Sequence, residues 1–123
     1  MCNNTNMTSY KELTVWKYSY QFGLEIYLIT RKFPSDEKFG LVSQLRRASV
    51  SIPSNIAEGS KRGTRKDYRS FVVIAYGSGA EIETQLLFCK DLGYINENEY
   101  IALNNKLTEI MKMLNIMINK LGT

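Results

Sequence analysis

The sequence predicts an all-α protein, an antiparallel up-down-up-down four-helix bundle. Three observations carry that reading. Apolar residues recur at alternating steps of three and four through four long segments, the period that lays a stripe along one face of a helix. Residues that stop or start helices separate the segments: Phe33-Pro34-Ser35-Asp36, Gly63-Thr64, and Gly93 followed by Asn96. The connections are short, which makes consecutive helices neighbours, and no repeat, low-complexity stretch or strand-like alternation competes.

The first helix is expected over about residues 10–33. Leu13, Trp16, Tyr20, Gly23, Tyr27 and Thr30 form its stripe, widened by Leu24 and Leu28. Pro34 pushes Phe33 out of the helical region, and Ser35 or Asp36 can cap the next helix. That second helix is expected over residues 36–62, with Leu41, Val42, Leu45, Ser49, Ile52, Ile56 and Gly59 inward. Pro53 falls inside the stripe, where it cannot donate to the Ser49 carbonyl; it predicts a local kink that costs about 3 kcal/mol if uncompensated. A kinked core helix without further purpose meets the same periodicity.

Gly63 suits the C-terminal cap and Thr64 the N-cap of the third helix, which runs to about Asp91 with Asp67 favourably placed in its first turn. Phe71, Ala75, Ser78, Ile82, Leu86 and Cys89 are expected to face inward. Its centre is unusually small, and Gly77 and Gly79 each cost roughly 1 kcal/mol relative to alanine. Close approach of another backbone, in this chain or a partner, is the usual compensation. Asn96 caps the fourth helix with Glu99 as its capping-box partner. Tyr100, Leu103, Leu107, Ile110, Leu114, Met117 and Leu121 then form a seam, with Met111 and Ile118 beside it. Methionines there suit an adaptable core.

A chain of 123 residues, 44% hydrophobic and 23% charged, fits one domain over residues 10–123 behind a polar, flexible tail at 1–9. No signal peptide is apparent in that tail, and no apolar run approaches the roughly 18–20 residues that span a membrane. Cys2 and Cys89 are not a disulfide framework, which fits a reducing cytoplasm.

Enzyme chemistry has little support. The sequence has no histidine, the side chain most used for proton transfer and metal ligation near neutral pH. Glu81 and Glu83 diverge on a helix, no metal or thiol motif is present, and Gly77-Ser-Gly79 lies within a helix rather than after a strand. No cofactor is expected.

The charge pattern is more informative. Net charge is +4, and seven of the sixteen Lys and Arg residues lie between 46 and 69, opposed there only by Glu58 and Asp67. Arg46, Arg47, Lys61, Arg62, Arg65, Lys66 and Arg69 are the candidate phosphate contacts, with the free amides near Thr64 adding anion affinity. Tyr68 is placed to stack on a base or to pack. A solvated charged corner would look the same. Arg46, Arg47, Glu58, Glu81 and Glu83 flank the buried line and could form inter-helix ion pairs instead, with Asn55 in the same network.

Several stretches carry a family resemblance: Val15-Trp16, Thr30-Arg-Lys-Phe-Pro34, the long block Gly40-Leu-Val-Ser-Gln-Leu-Arg-Arg-Ala-Ser-Val-Ser-Ile-Pro-Ser-Asn-Ile-Ala-Glu-Gly59, Gly77-Ser-Gly-Ala-Glu-Ile-Glu-Thr-Gln85 and Leu92-Gly-Tyr-Ile95. The chain resembles, over roughly residues 10–121, the four-helix bundle proteins encoded in intervening sequences of bacterial 23S ribosomal RNA genes. The accessory protein of diversity-generating retroelements is related to them. The resemblance implies a ring-like homopentamer with a basic surface and, from the retroelement member, binding to nucleic acid and a reverse transcriptase. It settles the fold better than the function, because the intervening-sequence members have no established biochemical role. The resulting expectation is a non-enzymatic, oligomeric RNA- or DNA-binding protein. The alternative is a scaffold whose basic face docks an acidic protein. Pro53, Asn55, Glu58, Gly59, Gly77, Gly79 and Glu81 are expected to shape packing within or between subunits.

Overall fold

The structure, a computed structural model, describes residues 9–122; the expected tail, apart from Ser9, and Cys2 lie outside the described residues. A 3-10 turn at Tyr10–Glu12 leads into α1 (Thr14–Thr30), and a second at Ser35–Glu37 precedes α2 (Leu41–Ser60). Next come α3 (Arg65–Asp91) and α4 (Glu97–Gly122), with no strand among the described residues. Across each seam the paired residues run in opposite order. Gly23 and Thr30 of α1 meet Ser49 and Arg46 of α2. Ser51 and Gly59 of α2 meet Ser78 and Tyr68 of α3, and Arg69, Gly79 and Lys90 of α3 meet Ile118, Met111 and Tyr100 of α4. Glu25 of α1 and Lys32 of the turn that follows it meet Lys106 and Glu99 of α4, which closes the ring.

Two helix starts differ from the sequence expectation. The first helix begins at Thr14, because Leu13 is extended and Ser9 caps a separate turn instead. The second begins at Leu41, and neither Ser35 nor Asp36 caps it. Glu37 reaches forward: its Oε1 accepts from the Leu41 amide at 3.1 Å, while its Oε2 accepts from the Tyr94 hydroxyl at 2.8 Å. That hydrogen bond raises the Tyr94 phenol above its ordinary pKa. Pro53 lies buried inside α2, helical on both sides. The Ser49 carbonyl that it cannot serve faces Gly23, where a Cβ would stand 3.9 Å from the oxygen.

The core agrees with periodicity in α2 and α4 and departs from it elsewhere. Val42, Leu45, Ile52 and Ile56 of α2 and Leu103, Leu107, Ile110 and Leu114 of α4 are all buried in one core cluster. In α3 the buried line runs through Val72 and Gly79, rotating Phe71 and Ser78 to the edge of the core. In α1 the buried residues are Val15, Ser19, Phe22, Gly23, Ile26 and Thr30. Gly23 and Thr30 of the expected stripe are buried, but its aromatic rings lie on the flank: Tyr20 is 46% exposed and Tyr27 40%. The smaller side chains of the inward face let α1 approach α2 closely at Gly23.

The start of α4 is a capping box. The Glu99 amide donates to Asn96 Oδ1 at 2.8 Å and the Asn96 amide to Glu99 Oε1 at 2.9 Å, satisfying two orphan donors of the first turn. Asn96→Ala is therefore expected to cost about 1 kcal/mol in urea unfolding. The Lys32 ammonium, 2.5 Å from Glu99, and the Asn96 amide hold the Glu99 carboxyl below its ordinary pKa. Its folded value is depressed, so this stabilisation is complete above the unfolded value of about 4.3 and is lost as pH falls through the folded one. Glu99→Gln should accordingly shrink the loss of stability on acidification below about pH 4.3; an acid limb identical to wild type would disprove the linkage.

Candidate nucleic-acid interface

The seven candidate cations form two clusters, not one. Arg46 and Arg47 stand about 22 Å from Lys61 along α2, at 1.5 Å per residue. Lys61, Arg62, Arg65, Lys66 and Arg69 share the corner where α2 ends and α3 begins. Gly63, at φ +92°, breaks the helix there, and Thr64 Oγ1 accepts from the Asp67 amide at 3.1 Å, so the chain turns as its capping residues dictate. The Asp67 carboxylate in that first turn weakens the N-terminus as an anion site.

Several of these cations already have structural partners. Arg46 donates from Nε to Thr30 Oγ1 at 3.0 Å and from a terminal nitrogen to the Tyr27 carbonyl at 3.3 Å. Its guanidinium lies 4.5 Å from the centre of the Tyr27 ring. Arg65 donates to the Lys120 carbonyl and Arg69 to the Ile118 carbonyl, placing positive charge at the C-terminal end of the α4 dipole. Each guanidinium has five N–H donors, so these bonds leave others for a ligand. Arg62 pairs with Glu58 at 2.9 Å and covers the Phe71 ring at 4.8 Å. Lys61 stands 5.7 Å from the Tyr10 ring centre. Arg47, Lys61 and Lys66 are exposed and make no ion pair among the described residues.

Among the described residues, the inter-helix ion pairs anticipated for the flanking glutamates are not formed. Glu58 pairs within its own helix, and Glu81 accepts from Gln85 Nε2 at 3.3 Å. Among the described residues, the ion pairs that link different elements are Lys32–Glu99, from the turn after α1 to α4, and Lys106–Glu25, from α4 to α1. Asn55 does join a polar network: its Nδ2 donates to the Ser51 carbonyl at 2.8 Å and hydroxyl at 2.9 Å, and Ser51 meets the Ser78 hydroxyl of α3 at 2.9 Å.

The glycines have distinct surroundings. A Cβ on Gly79 would run into the Met111 sulfur, so this residue lets α4 approach α3, whereas a Cβ on Gly77 would meet nothing within 4 Å. Gly59 admits Tyr68 and Phe71. Tyr68 thus packs rather than standing ready for a base, and burial raises its phenol above the ordinary value. Cys89 is wholly buried, and desolvation, followed by the nearby Glu37 carboxylate, pushes its thiol up to about 11. In a Cys2→Ser background, thiol labelling at pH 8 should therefore wait for unfolding, since only about 0.1% thiolate is present at that pH. Prompt labelling of the folded protein would show that the site opens.

Among the described residues no helix is long and apolar enough to cross a membrane, and no three His, Cys, Asp or Glu residues gather where a metal could be held. The fold defines a small all-α bundle of four helices. More particularly, the chain belongs to the family of 23S rRNA-intervening sequence proteins, whose model matches residues 11–116. A solved structure from Bacteroides thetaiotaomicron, described as a protein of unknown function from the S23 ribosomal protein family, superposes with a TM-score of 0.78 at 29% identity. The match covers 85% of this chain and 95% of that one. Comparison with curated proteins gives no match.

Proposed function

We propose that this chain is a non-enzymatic, oligomeric protein that binds RNA or DNA through phosphate contacts. The carrying observation is the corner of Lys61, Arg62, Arg65, Lys66 and Arg69, whose cations converge from two helix ends. Such contacts position a backbone without reading sequence. Arg46 and Arg47 supply a second contact point at a distance. Cyclic assembly, as in the homopentamer that the family resemblance implies, would multiply a modest patch by raising its effective concentration. The outer face of α3 offers apolar surface for such an assembly, with Val73 44% and Ile74 52% exposed. On this reading the protein serves as an accessory factor of an intervening sequence or a retroelement, with a reverse transcriptase as one candidate partner.

A second reading, a scaffold whose basic face docks an acidic protein, is favoured by Phe39, which is 88% exposed at the opposite end of α2. Fluorescence anisotropy with labelled single-stranded RNA and duplex DNA across a salt series separates the two. Sub-micromolar binding near 0.15 M salt that weakens steeply with salt supports phosphate contact. Negligible binding, with one protein partner retained at high salt, would overturn it for the scaffold.

A further inference from the structure

A groove joins the two basic clusters along the seam of α1 and α2. It encloses about 290 Å³ and is walled by Tyr10, Trp16, Tyr20 and Tyr27 on one side and by Val50 and Pro53 on the other. The rings are ordered along its length. Trp16 and Tyr20 stack with centroids 5.0 Å apart and planes 14° from parallel, and Tyr10 meets Trp16 edge-on at 5.5 Å. A cation stands at each end, Lys61 over Tyr10 and Arg46 over Tyr27. Among the described residues, no carboxylate lines this groove. By contrast, Glu25 and Glu109 line one α1–α4 groove, and Glu37 and Glu81 the one between α2 and α3; a second α1–α4 groove, at Val15 and Met117, also lacks a carboxylate but has no aromatic wall.

We propose that the α1–α2 groove is a stacking platform for the bases of single-stranded nucleic acid, whose phosphates bridge the cations at its two ends. This rests on the nucleic-acid reading above and names its substrate class. Ring faces stack on any base, but only on bases whose own faces are free, which excludes an intact duplex. The distance also fits. About 22 Å between the end cations accommodates roughly six or seven nucleotides at the 3.4 Å per-strand spacing of stacked phosphates, within the usual range for such sites. Arg46 is preset by its bonds to Thr30 and the Tyr27 carbonyl, so it requires little ordering on binding. A second copy of the chain is the competing occupant of an apolar groove. It would bring net charge +4 and the same cations to a surface that already carries them, whereas a polyanion complements them.

Trp16 is the sole tryptophan of the sequence, so the fluorescence of the unmodified protein reads the platform directly. The probes are an oligo-uridine strand of about 15 nucleotides and an RNA duplex of the same length, with anisotropy of the labelled probe followed in parallel. The strand should quench Trp16 and the duplex should not. Tyr20→Ala should weaken strand binding about five- to a hundred-fold, while Tyr20→Phe keeps it within about twofold. Strand binding without quenching, or undiminished in Tyr20→Ala, overturns the platform and leaves the proposed function standing. Failure of both probes to bind overturns the two together. Trp16 emission that shifts with protein concentration alone, and no longer does so in Leu24→Ala, assigns the groove to a second copy and overturns the platform.

Discussion

Replacing Lys61 and Lys66 together with glutamate should lower affinity for RNA or DNA about ten- to a hundred-fold near 0.15 M salt. The slope of log affinity against log salt should flatten by about two, because each phosphate contact releases roughly one counterion. Reversal goes further than removal, since the new carboxylates repel the backbone at the same corner. These two lysines suit the test because neither holds an ion pair among the described residues. The fold loses at most the contact of Lys61 with the Tyr10 ring, worth about 0.5–1 kcal/mol at an exposed site. Arg65 and Arg69 would be poorer choices, because glutamate there faces the carbonyls that end α4 and strains the fold as well. Native helicity with unchanged affinity in the double variant would sink the phosphate-contact assignment.

Gly59→Ala should destabilise the bundle by about 1–3 kcal/mol, even after the roughly 1 kcal/mol that alanine contributes as a better helix former. Its Cβ would lie 2.9 Å from both the Phe71 Cβ and the Tyr68 ring, and 3.2 Å from the Tyr68 carbonyl. Two of those three atoms belong to, or sit directly on, the α3 backbone and cannot turn aside, so α3 must move. Gly77→Ala is the matched control. With open space around it, the substitution should raise stability by up to about 1 kcal/mol in urea unfolding. If Gly59→Ala unfolds at the same urea concentration as wild type, the close packing of the α2–α3 corner is wrong. A Gly77→Ala variant that keeps its stability but loses assembly would place a partner's backbone against α3, the other compensation open to a mid-helix glycine.

What was legible in the sequence was whatever depends on neighbours along the chain. The Thr64 cap, the positive-φ turn at Gly63 and the Asn96–Glu99 box are made by residues within three positions of each other, so spacing alone identifies them. The α4 seam was equally legible, because its apolar side chains fall mainly on one face. The start of α2 was not. Glu37 caps it from outside the helix, and a second carboxylate oxygen ties the same side chain to Tyr94, far along the chain.

By itself, the sequence determined an all-α chain of four helices with cations gathered near residues 61–69. Only the tertiary structure decided which faces those helices bury and which charges are already engaged. α1 carries two apolar stripes, and periodicity cannot choose between stripes that are both present. The choice went to the one that carries Ser19, Phe22 and Ile26, with Gly23 at the border of the two, leaving the aromatic rings to wall an open groove. Arg46 and Arg47 are adjacent in sequence, yet a helix turns about 100° per residue. That rotation brings Arg46 to α1, where Thr30 and Tyr27 hold it, and leaves Arg47 exposed beside Ser78 and Glu81 of α3. Which charges remain available to a ligand is thus a property of the bundle, because it depends on which helix stands next to each.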